Sequence, residues 1–480
     1  MQKKATEFLS PDDGRIRLMF QGAAKTVTGS MHLLKLPDKI ISFDCGLFQG
    51  RRYESLASNE TFFVPAEKVD EVLLSHAHID HSGRLPLLVK KGFDGKIFAT
   101  GATCDLCEIM LADSGHIQEE DAAYWNAKRA KSKEDEIKPL YTVEDAVKAS
   151  KHLQHIQYYQ PFFFAEHAKA TYVEAGHILG SACIHVEIDY NGRKISLLYT
   201  GDLGRFDMPI LRDPQNPLPA VDYLITESTY AGRLHNNPTH MKEELVHVIN
   251  ETRSRGGKVI IPSFSVGRTQ NVVYYLVNAI NEGILEPLPI FVDSPLSTNA
   301  TAVFKNHPEC FDEAAKDFWL QQGDLFGGKL VQYITDVNAS KALNSLKEPH
   351  VIIAAAGMCE SGRILHHLKN NVEDENNSIC IVGFMAQHTL GRRIVERRDE
   401  IKIFGKMYRL LARVEILNGF SSHADTNDFR LLLGPLAKNL KGAFVVHGED
   451  SQLTAMKDLL ESYGCRNVNI PNPGDIFTLE

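Results

Sequence analysis

Ser75-His76-Ala77-His78-Ile79-Asp80-His81-Ser82-Gly83 places three imidazoles and one carboxylate within six positions, directly behind the apolar run Val72-Leu73-Leu74. Neutral imidazole and carboxylate are the usual nitrogen and oxygen ligands of zinc. If the apolar run is a strand through Ser75, the chain leaves it at His76, so His76 and His78 project to one side of a loop. Asp80 and His81 follow about one turn later, where they can face a second ion. A lone His-x-His would mean only a solvated turn. The full pattern, held between a strand and a glycine, points to two metals.

Composition is compatible with this. The 480 residues are too many for one small core, so two domains, or one with a large insertion, are expected. Hydrophobic content of 43% and charged content of 24% describe an ordinary globular protein. The formal charge of -9 does not advertise a nucleic-acid binder, although local patches decide phosphate contact. Met1 to Arg17 holds no apolar stretch suited to a signal peptide, and no later run reaches membrane-spanning length, so a cytoplasmic protein without membrane partners is expected. Eight scattered cysteines suit reduced thiols. Cys104-Asp-Leu-Cys107 invites a redox or zinc reading, but no second pair is near and the segment reads as helix, so core packing is expected.

Short apolar runs before residue 222 each end in a polar turn: Ile40 to Phe43 before Asp44, Val72 to Leu74 before His76, Ala170 to Val173 before His177, and Ile195 to Tyr199 before Asp202. Candidate ligands therefore collect at strand ends. Between them Asp105 to His155, carrying Gln118, Glu119, Glu120, Lys128, Arg129, Lys131, Lys133 and Glu134, reads as a polar, largely helical surface excursion with a mobile middle.

From about 223 to 400 the apolar stretches Lys258 to Pro262, Pro289 to Val292, His350 to Ala356 and Ser378 to Gly383 alternate with helical segments. Such alternation predicts a parallel sheet with covering helices. Two of its turns, at Gly267-Arg268-Thr269 and at Gly357 to Arg363, put backbone amides and a guanidinium at a helix start. That is the chemistry of a phosphate cradle; a structural salt bridge explains either turn alone as well, but two such turns in one sheet, with Gly391-Arg392-Arg393, favour phosphate contact. Arg268, Thr269 and Arg363 are the candidates. The last segment returns to strands ending in histidine, with His423 after Leu410 to Leu417 and His447 after Ala443 to Val446.

His76-Ala-His78-Ile-Asp80-His81, with Asp44, His177 in Gly176-His177-Ile-Leu-Gly180 and Asp202 in Thr200-Gly-Asp202, resembles the ordered motifs of the metallo-β-lactamase superfamily. Glu227-Ser-Thr-Tyr230, Pro262 to Gln270, Asp293-Ser-Pro295, Phe420-Ser-Ser-His423-Ala-Asp425 and Val446-His447-Gly448-Glu449 resemble those of its β-CASP nucleases. The resemblance covers nearly the whole chain. It implies an α/β protein, a metallo-β-lactamase αββα sandwich with an inserted β-CASP domain whose parallel sheet is flanked by helices. The domains expected are 1–222, 223–401 as the insertion, and 402–480 completing the first.

The family implies two zinc ions per chain, one held by His76, His78 and His177, the other by Asp80, His81 and His447, with Asp202 bridging. A hydroxide shared by ions about 3.5–4 Å apart is a strong nucleophile for in-line attack on phosphorus. Asp80 counts among the catalytic residues, and Asp44 is better placed to fix a ligand imidazole through its other ring nitrogen. His423, oriented by Glu227, would protonate the leaving oxygen. Because these two fall on opposite sides of the expected boundary at 401, their pairing would put the site where the two units meet.

Ala231 precedes Gly232 where the family usually has the glycine at once, and His388 in Gln387-His388-Thr389 stands where an acidic or small residue is usual. Ser422 replaces the usual alanine, so its hydroxyl is a candidate phosphate contact or a cap for the next helix. Members with histidine at the last motif act on RNA, so His447 favours RNA, and the basic run from Arg392 to Arg413 supplies positive charge, unless it is only an exposed face of mixed sign. Only about thirty residues follow Glu449, which resembles the short bacterial relatives of the cleavage and polyadenylation endonuclease rather than ribonuclease J. The expected function is a zinc ribonuclease, endonuclease or 5′-to-3′ exonuclease, leaving 5′-phosphate and 3′-hydroxyl ends and acting as a homodimer. A hydrolase of a small ester or thioester, a DNA nuclease of the subgroup and a non-catalytic RNA scaffold are the alternatives.

Overall fold

A computed structural model describes residues 2–10, 14–50, 52–129, 136–235, 240–383, 385–386 and 388–480. Lys131, Lys133, Glu134 and Gln387 lie outside the described residues. Contacts divide the chain into two compact units, Met1–Phe206 with Asp213–Leu234 and His423–Glu480, and Asp207–Arg212 with His235–Ser422.

The first unit contains two seven-stranded sheets among its described residues. One runs in the order Ile476–Leu479, Ile16–Gly22, Met31–Lys35, Ile40–Phe43, Glu71–Leu73, Lys96–Thr100, Leu153–Ile156. The other runs Val468–Asn469, Gly442–Val445, Tyr223–Thr226, Arg193–Tyr199, Ala182–Tyr190, Ala168–Glu174, Phe162–Ala165. Adjacent residues of a strand point to opposite faces, and the two cores follow that alternation. Leu197, Tyr199, Ile225 and Phe444 join Phe20, Phe43, Leu73 and Phe98 between the sheets. Their neighbours Leu198, Leu224 and Val445 turn outward to Phe429, Leu432 and Leu433 of helix Thr426–Ala437 and to Leu453 and Met456 of helix Asp450–Ser462. On the first sheet, helix Gly101–Arg129 packs against strands Lys96–Thr100 and Leu153–Ile156. The unit is thus an αββα sandwich.

The second unit is built on a six-stranded sheet in the order Val331–Tyr333, Ile290–Asp293, Val351–Ala354, Val259–Pro262, Ser378–Ile381, Arg413–Ile416, with every pair parallel. Its four central strands are buried at each position, as strands covered by helices on both faces must be. The two edge strands, Val331–Tyr333 and Arg413–Ile416, carry exposed positions alongside their buried Val331 and Val414. This is the α/β architecture expected of the inserted segment.

The units do not divide at 222 and 401. Tyr223–Thr226 pairs in parallel with Arg193–Tyr199 and Gly442–Val445, which makes it a strand of the first unit. Arg413–Ile416 pairs with Ser378–Ile381, which assigns it to the second. A four-residue apolar run shows that a strand exists and not which sheet receives it. Among the described residues no helix is long and apolar enough to cross a membrane.

Candidate metal centre

In the first unit, strands Arg193–Tyr199, Tyr223–Thr226 and Gly442–Val445 are mutually parallel, and Ala168–Glu174 runs the same way through its antiparallel neighbour. His177, Asp202, Glu227 and His447 stand one to three residues beyond the carboxyl ends of these strands. In the other sheet the parallel strands Ile40–Phe43 and Glu71–Leu73 deliver Asp44 and His76 in the same manner. Carboxyl ends of parallel strands gather loop side chains on one edge. Asp44 and His447 adopt positive φ values of 57° and 52°, the left-handed region that residues other than glycine seldom occupy outside constrained sites.

These side chains form three groups. His76, His78, His177 and Asp202 make the first, Asp80, His81 and His447 the second, and Asp202, Glu227 and His423 the third, each with its ligand-type atoms within 4.8 Å of one another. Asp202 serves both ends of the array: one carboxylate oxygen lies 3.6 Å from the Nε2 atoms of His76 and His177, and the other 3.4 Å from His81 Nε2.

Three of the imidazoles are held from behind. Buried Asp44 accepts from Ser75 N at 2.7 Å, Ser75 Oγ at 2.8 Å, Tyr199 Oη at 2.5 Å and His81 Nδ1 at 2.6 Å, so His81 turns Nε2 to the cluster. Ser75 Oγ also meets His76 Nδ1 at 3.0 Å. Thr229 Oγ1 meets His447 Nδ1 at 3.0 Å, and His447 Nε2 lies 3.3 Å from Asp80. Asp44 thus lies behind His81 and Ser75, in contact with both. Ser75, Tyr199 and Thr229 were not singled out from sequence, although Ser75 and Thr229 lie inside motifs that were.

The donor set suits metal ions. His81 Nε2 faces His447 Nε2 at 3.3 Å and His177 Nε2 faces His78 Nδ1 at 3.2 Å, pairs of imidazole nitrogens close enough to share a proton or a metal ion. His76 Nε2 and Asp202 Oδ1 are buried without a hydrogen-bond partner, which is costly for polar atoms unless something else binds them. Burial holds His76 well below the usual histidine range and His78 down at about 4, leaving neutral, ligand-competent rings. Burial opposes the charge on Asp202, yet His447, His81 and His423 outweigh it and hold the carboxyl well below its ordinary value.

His423 stands 3.4 Å from both carboxylate oxygens of Glu227 through Nδ1, with the Tyr230 ring stacked at 6.0 Å. Burial would lower its pKa, but the Glu227 charge and hydrogen bond raise it above the ordinary value, with Asp202 and Asp80 adding to the effect. Glu227 is itself fixed by the amides of Leu203 at 2.6 Å and Thr229 at 3.2 Å. Both partners belong to the first unit, so the pairing does not require the boundary-spanning arrangement expected from sequence.

The phosphate candidates fare differently. In the second unit, Arg363 donates to Asp293 at 2.6 Å and to the carbonyls of Ile334 and Thr335, and Asp293 also accepts from His367 and Ser340. This is the salt-bridge reading: a buried carboxylate at a strand end needs its cation. Thr269 is buried and donates through Oγ1 to the Phe264 carbonyl, and Arg268 reaches the Val382 carbonyl. The amides of Arg268 and Thr269 bond to Val266 and Phe264, so this turn spends its donors on itself. The cap of helix Thr426–Ala437 is Asp425, which accepts from Asn427 and Asp428, so Ser422 does not cap it. Cys104 and Cys107 are buried, and burial pushes the Cys104 thiol up to about 12, an inert core setting.

Comparison with known proteins agrees with this geometry. Residues 33–202 match the metallo-beta-lactamase superfamily domain, 269–394 the Beta-Casp domain and 407–471 the Zn-dependent metallo-hydrolase RNA specificity domain. Ribonuclease TTHA0252 of Thermus thermophilus is 34% identical, with 94% of this chain and 97% of that protein covered. An RNase J-like protein of Methanocaldococcus jannaschii is 31% identical over 91% of this chain and 93% of its own length. Transcription termination factor FttA of the same organism is 30% identical over 95% of this chain and 70% of its own. A crystal structure of a protein of unknown function from Enterococcus faecalis shares the fold, with a TM-score of 0.54 at 14% identity over 97% of this chain and all of that one.

Proposed function

The chain belongs to the metallo-β-lactamase superfamily and its β-CASP subgroup, and from that premise we propose that it is a ribonuclease that hydrolyses RNA phosphodiester bonds with two zinc ions. The observation that carries this reading is the position of Asp202, grouped with His76, His78 and His177 and within 3.4 Å of His81 in the second cluster, with the His423–Glu227 pair alongside. His76, His78 and His177 would hold one ion, Asp80, His81 and His447 the other, and Asp202 both. When bound, the ions supply an activated water and neutralise charge building on the phosphate.

The protein's own residues do the rest. Asp44 fixes the His81 tautomer by accepting a hydrogen bond from its Nδ1–H, and Thr229 fixes the ring of His447. Glu227 keeps His423 protonated so that it can give a proton to the departing 3′ oxygen, leaving 3′-hydroxyl and 5′-phosphate ends. RNA is favoured over DNA or a small ester by His447 in the last motif and by the ribonuclease names of the relatives.

The test is incubation of zinc-loaded protein with one RNA labelled at its 5′ end and offered as monophosphate, triphosphate or hydroxyl, followed by end-group analysis. Cleavage with 5′-phosphate products is expected, a mononucleotide ladder marking exonuclease and internal fragments endonuclease. His423→Ala should slow it by roughly 10²–10⁴-fold. Full cleavage by a folded His423→Ala or Asp80→Ala variant, or inertness to RNA alongside turnover of a small ester, would overturn the reading.

A further inference from the structure

Within the second unit, strands Glu400–Ile403 and Lys406–Arg409 form an antiparallel hairpin joined by Phe404 and Gly405. Both turn residues have positive φ, 48° and 82°, the geometry of a two-residue turn that favours Asn, Asp or Gly at its first position. A phenylalanine there sits in a backbone region that bulky side chains avoid. Its ring gains little burial in return, being 54% exposed. Ile401 and Ile403 anchor the hairpin in the hydrophobic core, so the strain is borne by a well-fixed element.

The surroundings are positive and aromatic. The Phe404 ring lies 4.7 Å from the ring of His366. Burial and then the charges of His367, Lys369 and Lys341 lower the His366 pKa, which leaves a neutral aromatic in a positive field. Lys402 and Lys406 are exposed, and among the described residues neither side chain has an ion-pair or hydrogen-bond partner. Elsewhere in the basic run Arg392 and Arg398 pair with Glu396, and Arg397 donates to the Val414 carbonyl. Unpaired cations therefore flank an exposed ring on a chain whose net charge is -9.

We propose that the hairpin tip binds single-stranded RNA, a base stacking on Phe404 and phosphates meeting Lys402 and Lys406. Aromatic platforms flanked by cations are how proteins hold single strands without reading sequence. This rests on the ribonuclease reading above and adds a site remote in sequence from every candidate ligand.

The test measures anisotropy of a fluorescent single-stranded phosphorothioate RNA on the full zinc-loaded chain, with melting curves and cleavage of ordinary RNA in parallel. Phe404→Asn suits the turn better than phenylalanine, so it should leave the melting temperature unchanged or raised while weakening RNA binding about tenfold. Phe404→Tyr should bind as the parent does. The double variant Lys402→Ala, Lys406→Ala should flatten the slope of log affinity against log salt by about 1.4. Unchanged RNA binding in Phe404→Asn and in the double lysine variant, as expected if the patch docks a protein, would overturn the proposal. A chain that binds RNA through the hairpin without cutting it keeps this site and loses the ribonuclease reading. One that cuts RNA while Phe404→Asn binds normally does the reverse.

Discussion

Replacing Asp44 by asparagine keeps the shape of a fully buried side chain and removes one acceptor. Four donors converge on that carboxylate: the Ser75 amide on Oδ1, and Ser75 Oγ, Tyr199 Oη and His81 Nδ1 on Oδ2. If the new amide places its oxygen at the Oδ2 position, its NH2 group opposes the Ser75 N–H, and an orphaned buried donor costs about 1–3 kcal/mol. If it turns the other way, His81 is driven to protonate Nε2, the nitrogen it presents to Asp202 and His447. Either way the orientation of His81 weakens, and loss of such an outer partner typically costs about 10–100-fold in metal affinity. That is about 1.4–2.8 kcal/mol of binding free energy. Competition against a zinc chelator, read per site, should show one ion weakened by this factor and the ion at His76, His78 and His177 much less affected. Parental affinity at both sites in Asp44→Asn would refute the claim that Asp44 orients a ligand.

Glu227→Gln removes the charge that raises His423, so the alkaline limb of the pH–kcat profile should move to lower pH; because His423 must be protonated to act, activity is lost as pH rises through its pKa, and an unmoved limb would contradict the assignment. Arg363→Ala leaves the buried Asp293 carboxylate with only His367 and Ser340, and urea denaturation should show a loss of about 1.5–3 kcal/mol. Cys107→Ala should cost about 1 kcal/mol of stability by shrinking a buried side chain, with zinc content and RNA cleavage unchanged; lost zinc would revive a ligand role for the Cys104–Cys107 pair.

What sequence made legible was what is local or what ends a strand. His76, His78, Asp80 and His81 stand within six positions, and His177, Asp202 and His447 each follow an apolar run, so a gathering of ligand-type side chains at strand ends could be expected before any coordinates, whereas Glu227 entered only through the resemblance. Groups that act through space were less visible. Tyr199 looked like the last residue of a strand, yet its hydroxyl closes the network on Asp44. Arg363 reads from sequence as a phosphate contact because its partner, Asp293, lies 70 residues away, and only folding sets the 2.6 Å contact between them. The unit boundaries were misplaced for a related reason: strand pairing, a long-range property, assigned Tyr223–Thr226 and Arg413–Ile416 to their sheets. Phe404 drew no attention, since nothing in the sequence marks its backbone as left-handed.

The account stands most directly on where metal ions bind. Anomalous diffraction at the zinc edge from crystals of the zinc-loaded chain should show two peaks, one among His76, His78 and His177 and one among Asp80, His81 and His447, each within bonding distance of Asp202. A single peak, or zinc held by other residues, would contradict it.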